Sequence, residues 1–153
     1  MMRAYPGITR TGVVLTMLLC VSPAFARDHG ALTGVWTLVP AKSDFAGQPV
    51  VQTGAVTIKD EKGIIIVSRR FVYEGAHETF FYSDDIGTEN KATVHTGKDL
   101  KTKAQWDHDV LRVTTTLAGA VTVESYSLAD DGVMTVNVAR PDRKAITLVF
   151  HRE

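Results

Sequence analysis

The chain has 153 residues, with 17 Lys and Arg against 17 Asp and Glu, five His and one Cys. That length leaves room for one domain, and the balanced charge gives no attraction for nucleic acid, so we expect no nucleic-acid partner. The sequence does not reveal which ligand or reaction the protein serves. It does predict where the protein goes and how it folds.

Residues 1–26 have the features of a cleaved secretory signal peptide. Two arginines give a basic start, a short apolar run ends at Val21, and Ala24 and Ala26 place small residues where a signal peptidase reads. The apolar run is about nine residues, well below the roughly 20 that a membrane-spanning helix needs. We therefore expect an exported protein, periplasmic or extracellular, with no membrane span in its mature form and one domain over residues 27–153.

The composition of that mature part favours strands over helices. It has 15 Lys and Arg, 17 Asp and Glu, and no Cys, so it has no disulfide to hold it together and no thiolate for catalysis. It contains 37 β-branched residues (16 Val, 15 Thr and 6 Ile) against 7 Leu and a single Met. Branched side chains suit a pleated sheet better than a helix.

Turn signals recur at short, similar spacing along the mature chain, and they divide it into hairpins. No stretch has a convincing helical pattern, and residues 40–50 are expected to be an irregular connection or one short helical turn. The ten predicted strands lie near 33–39, 51–59, 63–73, 76–83, 90–96, 100–106, 110–117, 120–128, 133–139 and 144–152.

Apolar residues alternate with polar ones along most of these strands, which gives the sheet one apolar face and one wet face. The run Ile64-Ile65-Ile66-Val67 breaks the alternation, so that strand should be buried on both faces or bulged. A meander of ten antiparallel strands hides its apolar face and its edges together by closing into an up-and-down β-barrel. The alternative is a two-sheet sandwich, which usually needs a connection that jumps between sheets.

Several short motifs resemble small secreted bacterial lipocalin-like proteins. Gly34-x-Trp36 on the first strand is followed by the run from Pro40 to Phe45, and similar matches recur as far as the last strand. The further matches are Trp106 with an acidic turn and Leu111, the run from Glu124 to Gly132, and Val149-Phe150-His151-Arg152. The resemblance implies a calycin-type barrel, in a family whose members mostly lack an established activity.

No catalytic motif is recognisable in the sequence. It has no Gly-x-Ser-x-Gly elbow, phosphate-binding loop, dinucleotide fingerprint or His-Glu-x-x-His pair. The five histidines are far apart, and Asp107-His108-Asp109 is typical of a solvated turn, so we expect no metal site and no cofactor. Enzymatic activity is left open, with the balance toward a protein that is not an enzyme.

Three functions remain open. The first is a barrel that binds a small hydrophobic or amphipathic ligand in its interior. The second is a structural or interaction protein of the cell envelope whose barrel is filled by its own side chains. The third is an enzyme of unrecognised type that acts on a small lipid-like molecule. The oligomeric state is not indicated.

The interior site, if present, is predicted from alternation and side-chain size. Arg69 would be its polar anchor, because a guanidinium binds a carboxylate or a phosphate with two hydrogen bonds. The competing interpretation of Arg69 is an internal pair with an acid such as Glu78 or Glu124. The predicted ligand-binding residues are Arg69, Phe71, Tyr73, Phe81, Tyr126 and Met134.

Trp36 and Arg152 are predicted to close the barrel at one end. Trp36 is on the inward face of the first strand, and Arg152 is in phase with the inward residues of the last strand. Barrel closure would bring these strands together. The resemblance to lipocalin-type barrels implies the same pairing, in which a basic side chain from near the chain end covers a first-strand tryptophan.

Overall fold

The computed structural model describes residues 29–87, 89–93 and 99–153, so the predicted signal peptide lies outside the described residues. The fold is all-β. Its ten strands are β1 (Gly34–Leu38), β2 (Thr53–Glu61), β3 (Ile64–Tyr73), β4 (Ala76–Asp85), β5 (Glu89–Thr93), β6 (Asp99–Asp107), β7 (Val110–Leu117), β8 (Ala120–Leu128), β9 (Met134–Arg140) and β10 (Arg143–Arg152).

The strands form one antiparallel sheet in the order β4-β3-β2-β1-β10-β9-β8-β7-β6-β5. Strand β1 pairs with β10, so the two ends of the domain meet in the middle of this order. The strands at its two edges, β4 and β5, are consecutive in the chain. The connection from β4 to β5 bonds to both sides of the sheet. Ile86 N–H donates to Gly63 O, just before β3, at 2.9 Å, and Gly87 N–H donates to Ala104 O, on β6, at 2.7 Å. The predicted antiparallel up-and-down barrel is confirmed.

Antiparallel pairing places alternate connections at opposite ends of the barrel. One end, here called the closed end, holds the β2–β3, β6–β7 and β8–β9 turns and a turn of 3-10 helix, His29–Leu32, before β1. The other, the open end, holds the β3–β4, β7–β8 and β9–β10 hairpins. The segment 39–52 also lies there, because the Gln48 amide donates to Lys144 O and Gln52 N–H donates to Val72 O, at 2.9 and 2.8 Å.

Large side chains fill the closed end. The inward positions given by period-two alternation are the buried ones, and each of the following is no more than 1% exposed: Trp36, Leu111, Tyr126, Met134 and Phe150. Leu32, from the 3-10 turn, is buried with them at 3% exposure. Burying such side chains is the main favourable term in folding a domain that has no disulfide.

Arg152 covers Trp36 at the closed end. The two residues face each other across the β1–β10 pair, and the guanidinium carbon lies 4.3 Å from the centroid of the indole ring. Arg152 also donates to Thr33 O at 2.6 Å, and the Trp36 indole N–H donates to Leu32 O at 2.9 Å. Glycine suits position 34 because its φ of 144° is one that other residues rarely adopt, and a Cβ there would also push the Arg152 guanidinium aside.

Three sequence predictions need correction or extension. The Ile64–Val67 run is neither buried on both faces nor bulged, because its pairing with β2 and β4 is continuous and Ile64 is 37% exposed while Ile65 is buried. The fifth strand is Glu89–Thr93, and the remainder of the predicted 90–96 lies outside the described residues. The 3-10 turn before β1 was not expected, whereas the predicted short turn in 40–50 is present as Pro40–Lys42.

Candidate functional site

The open end of the barrel is hollow. A first cavity of about 650 Å³ lies between the β7–β8 and β9–β10 hairpins. A second cavity of about 450 Å³ lies beneath the segment 39–52, between β3 and β10. Four charged residues line both cavities: Arg69, Glu124, Arg140 and Arg143. These volumes are in the range of small-molecule binding sites.

The second cavity has the larger apolar side chains in its wall. Phe71 on β3 and Ile146 and Leu148 on β10 line it, together with Val51 and Val138. Phe71 reaches this position because residue 54 on the neighbouring strand is glycine, where a Cβ would lie only 2.6 Å from the phenyl ring. The wall is therefore suited to a hydrocarbon chain or ring.

Arg69 pairs inside the barrel with acids from two other strands. Its guanidinium donates to the carboxylate of Glu124 on β8 and to Glu78 Oε1 on β4, the latter at 3.2 Å. Glu124 is 2% exposed and also accepts a 2.9 Å hydrogen bond from the Tyr126 hydroxyl. Arg69 further lies over the Phe71 ring, 5.6 Å from its centroid. The sequence left Arg69 as either a ligand anchor or a member of an internal ion pair, and the structure contains the internal ion pair.

The charges at the open end also act on two neighbouring ionisable groups. Burial raises the pKa of the Tyr73 phenol above its ordinary 10.0, and the Glu78 carboxylate raises it further. A hydrogen bond from Arg143 lowers the pKa of the exposed Asp142 carboxyl, which lies 3.2 Å from the Arg143 guanidinium. At neutral pH the open end thus carries a neutral phenol and an ionised Asp142.

Arg140 differs from the other two arginines of the cavities. It is the last residue of β9, it is partly buried, and its Nε donates a 3.4 Å hydrogen bond to the Thr122 hydroxyl. Among the described residues no carboxylate forms an ion pair with it, whereas Arg69 pairs with Glu124 and Arg143 with Asp142. Its guanidinium is thus available to an anion that enters either cavity.

The residues predicted from sequence to bind a ligand lie in three different places. Arg69, Phe71 and Tyr73 line the second cavity. Tyr126 and Met134 are buried and line neither cavity. Phe81 pairs with Ser68 on the outer face of the sheet and is 63% exposed, out of phase with Glu78 of the same strand, which pairs with the inward Phe71.

Sequence reasoning did not assign Ile146, Leu148 and Val138 to the site, although alternation had already placed them on the inward face. It also did not include Arg140. The signal available for that residue was its position as the last residue of a strand whose alternate residues point inward. Only the distribution of acids over neighbouring strands, which is a tertiary property, shows that Arg69 is paired with carboxylates and Arg140 is not.

No metal site is formed by the described residues, in which no three His, Cys, Asp or Glu side chains come together in a suitable group. His29 instead stacks on Trp106 at the closed end, with ring centroids 4.0 Å apart and planes 8° apart. His108, in the β6–β7 turn, is 81% exposed and lies 3.0 Å from the Asp107 carboxylate. His95 lies outside the described residues.

Comparison with solved structures supplies the fold relatives. The chain is similar to a structure titled REP1-NXSQ fatty acid transporter, with 20% identity, 81% of this chain and 97% of that chain covered, and a TM-score of 0.61. It is similar to a Schistosoma mansoni fatty acid binding protein in complex with arachidonic acid, with 14% identity, coverage of 82% and 98%, and a TM-score of 0.61. A third similar structure is wild-type fluorescent protein UnaG, with 15% identity, coverage of 80% and 97%, and a TM-score of 0.60.

The fold is that of the fatty-acid-binding-protein-like, lipocalin-type barrels. Identities of this size show the fold alone. No family model matches the sequence, and no curated protein matches it significantly. Within the part of the chain that the structure describes, no helix is long and apolar enough to cross a membrane.

Proposed function

We propose that this protein is an exported barrel that binds a small hydrophobic or amphipathic molecule in the cavities of its open end. The observation that carries the proposal is the second cavity, about 450 Å³ with Phe71, Ile146 and Leu148 in its wall. A side-chain-filled barrel has no such space. Structural relatives whose titles name fatty acid transport and arachidonic acid support a ligand of this kind.

Export is the part of the proposal that rests on residues 1–26 alone. If the segment is a signal peptide, secreted protein begins at Arg27, and intact-mass analysis will show the loss of the first 26 residues. Retention of Met1 in exported material would contradict it. A ligand-binding protein of the cell envelope or exterior is the role that this combination describes.

The binding proposal is tested with Nile red, an uncharged dye that fluoresces in apolar surroundings, and with a variant that fills the cavity. Ile146 is partly buried in the wall of the second cavity, so Ile146→Trp places an indole in the space proposed for the ligand. Asn137→Trp, on the exposed outer face of the neighbouring strand, adds the same indole outside the barrel.

We expect the wild-type protein and Asn137→Trp to bind the dye, and Ile146→Trp to bind it at least about tenfold more weakly because its site is filled. Circular dichroism and urea unfolding establish that both variants fold. Equal binding by both variants would place the dye elsewhere on the surface. The absence of binding to wild-type protein would favour the envelope protein without a ligand.

A further inference from the structure

Of the two arginines Arg69 and Arg140, Arg69 lies farther from the open end, and its charge is already balanced by acids. Arg69 is four residues from the β3–β4 hairpin and bonds to the buried Glu124 and to the half-exposed Glu78. A ligand carboxylate or phosphate that approached Arg69 would meet both of these carboxylates within the same cavity. Like charges repel strongly in an interior of low dielectric constant, so this position disfavours an anion.

Arg140, whose guanidinium lies at the rim of the open end, lacks such an ion pair. Arg140 is next to the β9–β10 hairpin, lines both cavities, and forms no ion pair with a carboxylate that the structure describes. Asp142, on which its charge acts at longer range, is already paired with Arg143. Its contact with the Thr122 hydroxyl is long, at 3.4 Å, and uses only Nε. The two terminal nitrogens are the ones that hold carboxylate and phosphate groups with two parallel hydrogen bonds.

We propose that Arg140 is the headgroup anchor of the barrel, and that the ligand is an anionic amphipathic molecule, bearing a carboxylate or a phosphate, which binds with its head at the rim. This inference rests on the proposed function and adds to it the charge of the ligand and its orientation. The apolar part extends from Arg140 into the second cavity, toward Phe71 and Leu148. The Arg69–Glu124 pair then faces the chain of the ligand and contributes no net charge to binding.

The charge of the headgroup is tested with three ligands that share one chain length: dodecanoate, dodecyl phosphate and dodecanol. Each displaces Nile red from the wild-type protein and from Arg140→Gln. We expect one or both anions to bind wild-type protein more tightly than the alcohol does. In Arg140→Gln the preferred anion weakens by about tenfold and the alcohol is unchanged, because one charge-assisted contact is lost.

Arg112→Gln is the matched control. It removes one arginine from an exposed pair with Asp107 at the closed end, so it makes the same change in net charge far from both cavities. We expect it to keep the preference for the anion. A preference for dodecanoate identifies a carboxylate as the head, and one for dodecyl phosphate identifies a phosphate. An unchanged preference in Arg140→Gln, or none in wild-type protein, overturns the inference.

Failure of the proposed function gives a different result, because no displacement can be measured when Nile red and dodecanol do not bind to wild-type protein. Binding of dodecanol with no preference for an anion leaves the proposed function intact and overturns only the charge assignment. The two failures are thus distinguishable in one set of titrations.

The orientation of the ligand in the barrel is tested by a separate fluorescence measurement. Trp36 and Trp106 both lie at the closed end, where Trp36 is fully buried and Trp106 stacks with His29. Bromine quenches tryptophan fluorescence at short range. With the head at the rim, 12-bromododecanoate should quench more than 2-bromododecanoate, since its bromine is at the end of the chain. Equal or reversed quenching overturns the orientation.

Discussion

At the closed end of the barrel Trp36, Leu111 and Phe150 are fully buried, whereas at the open end Ile146 borders a cavity and Arg69 and Glu124 point into the interior. The same strands contribute to both ends, so strand pairing does not cause the difference. What differs is the type of side chain at the inward positions. Large apolar groups fill the closed end, whereas at the open end some of the inward positions carry charged side chains such as Arg69, Glu124 and Arg140.

Charged inward residues keep the open end hollow for a physical reason. A buried carboxylate must stay close to its donors, and Glu124 is fixed by Arg69 and by the Tyr126 hydroxyl. Such a group is not free to pack wherever space remains, as a leucine would. Small residues at the β7–β8 hairpin, Gly119 and Ala120, line the first cavity and leave its space unfilled. The closed end therefore provides stability, and the open end provides the space in which we propose that the ligand binds.

The largest expected effect tests this division directly. Trp36→Ala at the closed end should lower the free energy of unfolding by roughly 3–5 kcal/mol, because it leaves a cavity in a fully packed region. Ile146→Ala at the open end should cost about 1 kcal/mol, since that side chain is only partly buried and already borders a cavity. Urea unfolding measures both. Equal costs would mean that the two ends are packed alike.

The ion pair inside the open end is expected to be the next most sensitive feature. Arg69→Met should cost about 3 kcal/mol, because it leaves the buried Glu124 carboxylate without its guanidinium partner. The double variant Arg69→Met with Glu124→Gln should recover most of that loss, since no uncompensated charge remains near Tyr126. Urea unfolding of the two single variants and the double variant measures the coupling. Losses that simply add would contradict a coupled pair.

Much of this division follows from the sequence, because strand bounds and inward positions depend on local patterns. Turn residues between β-branched runs give all ten strands, and alternation puts Trp36, Met134 and Phe150 inside. The Ile64–Val67 run misleads because four apolar residues in a row hide the period. The regular pairing of β3 with both neighbours restores it, with Ile65 and Val67 buried.

The candidate site was only partly predictable, because it depends on residues far apart in the chain. Alternation placed Arg69 and Phe71 at the interior, but the acid that pairs with Arg69 is 55 residues away on β8. A one-residue error in phase put Phe81 in the site although it lies on the outer face. Cavity volume is the least predictable property, since it depends on how all inward side chains pack together.

A smaller effect concerns the contact that covers the closed end. In a double-mutant cycle with Trp36→Phe and Arg152→Ala, we expect a coupling of about 0.5–2 kcal/mol, because the guanidinium lies over the indole ring at 4.3 Å. Arg152 is exposed, which favours the lower part of that range. A coupling of zero would show that Arg152 contributes through its bonds to backbone oxygens alone.

The smallest expected effect concerns pH at the open end. Burial and Glu78 raise the pKa of the Tyr73 phenol in the folded protein above 10.0, its ordinary value, so the folded state holds this proton more tightly than the unfolded state. The resulting stability is fully present below pH 10 and is lost as pH rises from there through the folded pKa. Tyr73→Phe has no proton to lose at this position. The free energy of unfolding should therefore fall more steeply above pH 10 in wild-type protein than in Tyr73→Phe, as urea unfolding at pH 9, 10 and 11 will measure.

Ionisation of the Tyr73 phenol in the folded state can also be followed directly by absorbance at 295 nm. The titration curve of folded Tyr73→Phe is subtracted from that of the folded wild-type protein, and the difference is the titration of Tyr73. Parallel stability curves, or a difference titration centred at or below pH 10, would show that Tyr73 is solvated and that the second cavity is wetter than its apolar wall indicates.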